Sequence, residues 1–90
     1  MRAQDPKRVL RDVGRKIAEG RVKRGLTQEA FAEQIVGCSL KYLQAIEAGR
    51  ENLTVESLVA LAGKVGVRVQ QLFEAPVSRK VRRGRPPKSV

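Results

Sequence analysis

From Thr27 to Gly49 the chain reads TQEAFAEQIVGCSLKYLQAIEAG. Thr27 can cap a helix, Gln28, Glu29 and Ala30 make a favourable first turn, and Phe31, Ala32 and Ile35 fall on one apolar stripe at helical spacing. The pattern predicts a helix of about two and a half turns. Val36-Gly37-Cys38 reads as a tight glycine-containing turn, and Ser39 caps a further helix with Leu43 and Ile46 facing inward. Gly49 stops that helix. Two short helices joined by a three-residue turn have the layout in which the second helix can enter a DNA major groove. An ordinary helical hairpin inside a bundle has the same periodicity, so spacing alone leaves both readings open.

The flanks extend the helical pattern. Asp5 caps a first helix with Pro6 at its first position, and Val9, Leu10, Val13 and Ile17 recur at helical spacing as far as about Lys23, before Gly25. Beyond Gly49, Arg50 to Leu53 is a polar connection. Thr54 caps another helix whose Val55, Leu58, Leu61, Ala62 and Val65 form a broad apolar face closed by Gly66. A last helical turn at Val69 to Phe73 offers Val69, Leu72 and Phe73, either to close the core or to meet a second copy. Pro76 marks the expected end of the fold, giving a domain over residues 1–76 and a basic, disordered tail over 77–90.

Composition supports one small all-helical unit. Ninety residues with 41% apolar content supply one modest core, and 3% aromatics without Trp mean that it is built from Leu, Ile, Val and Ala. Nineteen Lys and Arg against nine acidic residues give a formal net charge of +10, which seeks a polyanion. The tail holds Arg79, Lys80, Arg82, Arg83, Arg85 and Lys88 with no acid, and without those six residues 1–76 carry +4. Cys38 is the single cysteine and there is no histidine, so no intramolecular disulfide, metal site or cofactor is expected. No catalytic residue is expected either, since the chain has no phosphate-binding glycine loop and no paired acidic cluster in a plausible pocket. No apolar run is long enough to span a bilayer, and Met1 to Val9 lacks a signal-peptide core. The expected setting is cytoplasmic and nucleoid-associated, without membrane contact.

Gly25-Leu26-Thr27-Gln28-Glu29 with Phe31-Ala32, then Tyr42-Leu43, Ile46-Glu47 and Gly49, resembles the Cro and lambda-repressor type (Xre) helix-turn-helix family; the likeness continues through Asn52-Leu53-Thr54 and Gly66-Val67 and covers about residues 13–74. The resemblance implies an all-α, compact five-helix bundle of lambda-repressor type. It further implies a transcription regulator acting on double-stranded DNA as a homodimer on an inverted repeat, with a recognition helix over about Ser39–Ala48. Carried over by position, Leu40, Lys41, Gln44 and Ala45 become the base readers. Lys41 can donate to guanine, Gln44 can pair two-fold with adenine, and Leu40 or Ala45 can touch a thymine methyl. Gln28, Ser39, Tyr42, Arg50 and Asn52 become phosphate contacts. The plainer readings stand beside these: Lys41 and Gln44 as solvated polar residues, Ser39 as a cap, Tyr42 as core padding. Arg21 and Glu47 occupy positions that the family uses for a partly buried structural ion pair.

Three departures bear on that transfer. The interval from Thr27 to Glu47 is one residue longer than the family pattern, most simply by insertion at Val36, which widens the turn and either rotates the helix capped by Ser39 or extends the one capped by Thr27. Gly20 replaces an apolar residue of helix one, leaving a gap or a close helix contact. Cys38 stands at an apolar turn position, where a lone thiol serves more often as a small hydrophobe than as a redox sensor.

In the tail, Arg82-Arg83-Gly84-Arg85-Pro86-Pro87-Lys88 resembles the core of an AT-hook, the extended Gly-Arg-Pro element that lies in the minor groove of A·T-rich DNA. Arg83 and Arg85 would be the inserted side chains, Gly84 would permit close approach and Pro86 would hold the backbone extended. A solvated basic tail binding phosphates alone has the same charge. Two further functions compete with the regulator: an antitoxin-type autoregulator with a small protein partner, and an architectural DNA-binding protein without strong sequence preference.

Overall fold

The computed structural model describes residues 4–77, and the tail residues Arg82, Arg83, Gly84, Arg85, Pro86 and Lys88 lie outside that range. The described residues are helical, with no strand among them. Helix α1 spans Pro6–Lys23, capped by Asp5, whose carboxylate accepts from the Lys7 N–H at 3.0 Å. Helix α2 begins at Gln28–Ala30 under the Thr27 cap and passes without a break into a π-helix over Phe31–Val36. Helix α3 covers Leu40–Glu47, helix α4 covers Val55–Val65, and a 3₁₀-helix over Val69–Phe73 closes the fold.

Each cap foreseen in the sequence has its hydrogen bond. Thr27 Oγ1 accepts from Ala30 N–H, Ser39 Oγ from Tyr42 N–H and Thr54 Oγ1 from Ser57 N–H, all at 3.0 Å. Such bonds satisfy donors that the first helical turn leaves bare.

The core joins every element: Val13 and Ile17 from α1, Phe31 and Ala32 from the π-helix, Leu43 and Ile46 from α3, Leu58, Leu61, Ala62 and Val65 from α4, and Leu72 from the 3₁₀-helix. Burying each of the larger side chains contributes roughly 1.5–3 kcal/mol, so the short α3 is held by packing rather than by its own propensity. Val55 departs from the expected face and is 73% exposed. It occupies the first turn of α4, one turn before Leu58, at the edge of the apolar face.

The extra residue near Val36 does not widen the turn. Gly37 N–H reaches back to the Ala32 carbonyl at 2.7 Å, five residues earlier, and Cys38 N–H bonds the same oxygen at 3.0 Å. A π turn carries one more residue than an α turn, so the added residue is taken up within the π-helix that continues α2. Val36 therefore ends a helix, and the connection to the Ser39 cap shrinks to Gly37, left-handed at φ 78°, and Cys38.

Gly20 makes a close contact rather than a gap: a Cβ there would lie 2.8 Å from Val65 Cβ. Gly14 is tighter still, with its would-be Cβ 2.5 Å from the carbonyl oxygens of both Ile46 and Glu47. Helix α1 thus lies directly on the C-terminal end of α3.

Candidate nucleic-acid interface

Helix α3 divides cleanly by burial. Leu43, Ile46 and Glu47 are buried, Leu40, Lys41, Tyr42 and Gln44 are exposed, and Ala45 is half-buried. Lys41 and Gln44, three residues apart, share one helical face. Four residues foreseen as base readers are therefore brought to one short helix, three on its open surface and Ala45 at its margin.

A buried polar network fixes how that helix sits. Arg21 Nε donates to Glu47 Oε2 at 2.8 Å and Nη2 to Oε1 at 3.1 Å, while Nη1 donates to the Leu26 carbonyl at 2.8 Å. The fork of the guanidinium thereby ties α1 to the end of α3 and to the loop before α2. Gln28 Nε2 donates to Glu47 Oε1 at 2.9 Å, and Gln44 Nε2 approaches Gln28 Oε1 at 3.5 Å, a weak bond. Glu47 is only 5% exposed, and three donors meet its carboxylate, so its charge is compensated where it is buried.

The network changes the expected place of Gln28. A carboxylate only accepts, so Gln28 must turn its NH₂ inward to Glu47, leaving its carbonyl oxygen toward Gln44 and one amide N–H uncommitted. This inward role escaped the sequence reading, as did those of Gly14 and the Leu26 carbonyl. A second helical glycine, six residues from Gly20, was the one available signal of close α1 packing.

The remaining phosphate candidates surround α3. Ser39 spends its oxygen on the cap but keeps its hydroxyl proton. Tyr42 is 40% exposed, more open than core padding requires, and lines a shallow groove with Val36, Ile46, Ala60 and Leu61, edged by Ser57 and Lys64. Arg50 and Asn52 are exposed on the connection after α3, and Arg50 N–H bonds the Ala45 carbonyl at 2.9 Å. Cys38 is half-buried, and burial pushes its thiol above the ordinary range although the Leu43 backbone opposes the shift. That lowers its thiolate fraction and its reactivity.

Among the described residues no cluster of His, Cys, Asp and Glu could hold a metal ion, and no helix is long and apolar enough to cross a membrane.

The stretch in which the Arg21–Glu47 pair ties α1 to the end of α3, with α3 open on one side, matches a known family over residues 17–72. The chain belongs to the helix-turn-helix family HTH_3. This is a family of DNA-binding transcription regulators. A propionyl-CoA carboxylase regulator of Cereibacter sphaeroides is 41% identical over 66 residues, which is 73% of this chain and 14% of that protein, so the chain spans only a small part of that relative. Among solved structures, the hypothetical transcription factor NHTF from Neisseria superposes with a TM-score of 0.68 at 26% identity, covering 84% of this chain and 86% of that one. The restriction-modification controller protein C.AhdI from Aeromonas hydrophila gives 0.62 at 28% identity, covering 71% and 96%. The HTH_3 match begins at Ile17, within α1, and ends at Leu72, the last buried residue of the 3₁₀-helix.

Proposed function

We propose that the chain is a sequence-specific regulator of transcription that binds double-stranded DNA, with the segment Ser39–Ala48 lying in the major groove. The observation that carries this reading is the Arg21–Glu47–Gln28 network, which locks α3 from its buried side while Leu40, Lys41 and Gln44 stay open. A reader of base edges needs that combination of fixed backbone and free side chains. Leu40, Lys41, Gln44 and Ala45 read bases in this account. Ser39, Tyr42, Arg50 and Asn52, with the remaining N–H of Gln28, hold phosphates and set register.

The protein acts as a homodimer on an inverted repeat, placing two recognition helices roughly 34 Å apart. Leu72 is fully buried and belongs to the monomer core, which leaves Phe73, 53% exposed, as the apolar residue of the 3₁₀-helix available to a second copy. The basic tail around Arg83 and Arg85 adds minor-groove or phosphate contacts, and the protein works in the cytoplasm on the nucleoid. Val77 N–H donates to Glu19 Oε2 at 2.7 Å, so a truncation that isolates the tail should follow Val77. If three phosphates are engaged by the tail, that truncation flattens the log-log salt dependence of binding by a slope of about 2.7.

Selection from a random duplex pool by the full chain tests the reading. A recovered inverted repeat supports it, an A·T-rich bias without symmetry favours an architectural protein, and no enrichment counts against both.

A further inference from the structure

We propose that Lys7, Arg11 and Arg15 of α1, continued by Arg50, form a second phosphate-binding track along the side of the molecule that carries the C-terminal end of α3. The inference rests on the DNA-binding reading above and adds residues that neither the recognition helix nor the tail supplies.

The rotation of α1 is fixed by two contacts. Gly14 backs onto the Ile46 and Glu47 carbonyls, and Gly20 onto Val65 of α4. At 3.6 residues per turn these directions differ by about 120°, so α3 and α4 flank α1 on different sides. Lys7, Arg11 and Arg15 follow one another at intervals of four and lie about 20–100° beyond the Gly14 direction, turned away from α4. The acids Asp12 and Glu19 fall farther round, about 140–160° from Gly14, and Glu19 is engaged by Lys16 and by the Val77 N–H. One helix thus carries a purely basic stripe on the side of the recognition helix.

The stripe meets the recognition unit at a defined point. Gly49 is left-handed at φ 78°, and a Cβ there would lie 2.7 Å from Arg11 Cα, so the backbone of α1 at Arg11 touches the turn that ends α3. Arg50, exposed, is the next residue along the chain. Lys7 and Arg11 are exposed and Arg15 half-buried, and none of the three has an ion-pair partner among the described residues. Unopposed cations along about 12 Å of helix suit a run of backbone phosphates, each contact releasing condensed counterion.

A purely local role is the competing account, since a cation beside the C-terminus of α3 also favours the helix dipole. That role moves stability and leaves the salt dependence of binding alone. The test is anisotropy of the full chain on its selected duplex and on a random duplex across a salt series, for wild type, Arg11→Gln/Arg15→Gln and Lys16→Gln. The double variant is expected to flatten the slope by about 1.8 and to lose affinity for both duplexes by the same factor, whereas Lys16→Gln, on the opposite flank, leaves the slope in place. An unchanged slope, or a loss confined to the selected duplex, overturns the proposal. Absence of binding by the wild type to any duplex would instead overturn the DNA-binding reading itself. Should the double variant lose its helical circular dichroism, Lys7→Gln, on an exposed first turn, reads the same effect at about 0.9.

Discussion

Gln28 at the start of α2 gives its side-chain NH₂ to the carboxylate of Glu47 at the end of α3, 2.9 Å away. The bond spans the two helices of the motif and sets their separation together with the Arg21 fork. Removing it by Gln28→Ala should cost about 1.5 kcal/mol, the usual worth of a hydrogen bond to a charged group. Gln28→Glu should cost more, because it places a second carboxylate against a buried one. Urea unfolding of the two variants measures the difference, and equal stabilities would mean that the bond does not hold in solution.

Arg21 makes the larger contribution to the same network. Replacing it with Met leaves Glu47, at 5% exposure, with Gln28 as its one side-chain donor, and should destabilise by about 3 kcal/mol. The double variant Arg21→Met/Glu47→Met removes the stranded charge and should recover a substantial part of that loss. A double variant as unstable as the sum of the two single ones would show that the pair is not coupled.

The two glycines of α1 predict different responses to a methyl group. Gly20→Ala pushes against the Cβ of Val65, 2.8 Å from the new methyl, and should cost about 1–3 kcal/mol, a cost that shrinks in a Val65→Gly background, where that Cβ is gone, and persists in Val65→Ala, where it is kept. Gly14→Ala meets the backbone carbonyls of Ile46 and Glu47, which no side-chain truncation relieves. Thermal melts of Gly20→Ala in the wild-type and Val65→Gly backgrounds decide the point: an equal cost of the added methyl in both would mean that the helices separate instead.

Local signals carried most of the architecture. Asp5, Thr27, Ser39 and Thr54 each announced a helix start because a cap is a contact within one turn, and Leu43, Ile46, Leu58 and Leu61 were legible as core through their spacing, whereas for Leu72 the spacing left core and second copy both open. What was not legible depends on partners distant in the chain. The inward turn of Gln28 is decided by Glu47, 19 residues away, and the need for glycine at position 14 by carbonyls more than 30 residues on. The π winding was hidden for another reason: an insertion is visible in the interval from Thr27 to Glu47, but whether a helix or a turn takes it up depends on how Ala32 and Ile35 seat in the core.

Deleting Val36 tests that uptake. If the extra residue is stored as one π turn, the deletion converts Phe31–Ile35 to α winding, keeps helical circular dichroism and cooperative unfolding, and leaves α3 in its present rotation. The site selected from random duplex should then match that of the wild type. A changed site with retained stability would mean that the insertion had set the rotation of α3 after all.

Lys41 provides the sharpest test of base reading. It is exposed on the second residue of α3, has no ion-pair partner among the described residues, and shares its face with Gln44. A lysine that donates to guanine O6 or N7 contributes discrimination of about 1–3 kcal/mol, whereas one that only meets phosphate contributes equally to every sequence. Lys41→Ala should therefore weaken binding to the selected duplex by roughly tenfold or more beyond its effect on random duplex, and should relax base preference at one position of each half-site. Equal losses on both duplexes would move Lys41 to the backbone and leave Leu40, Gln44 and Ala45 as the readers.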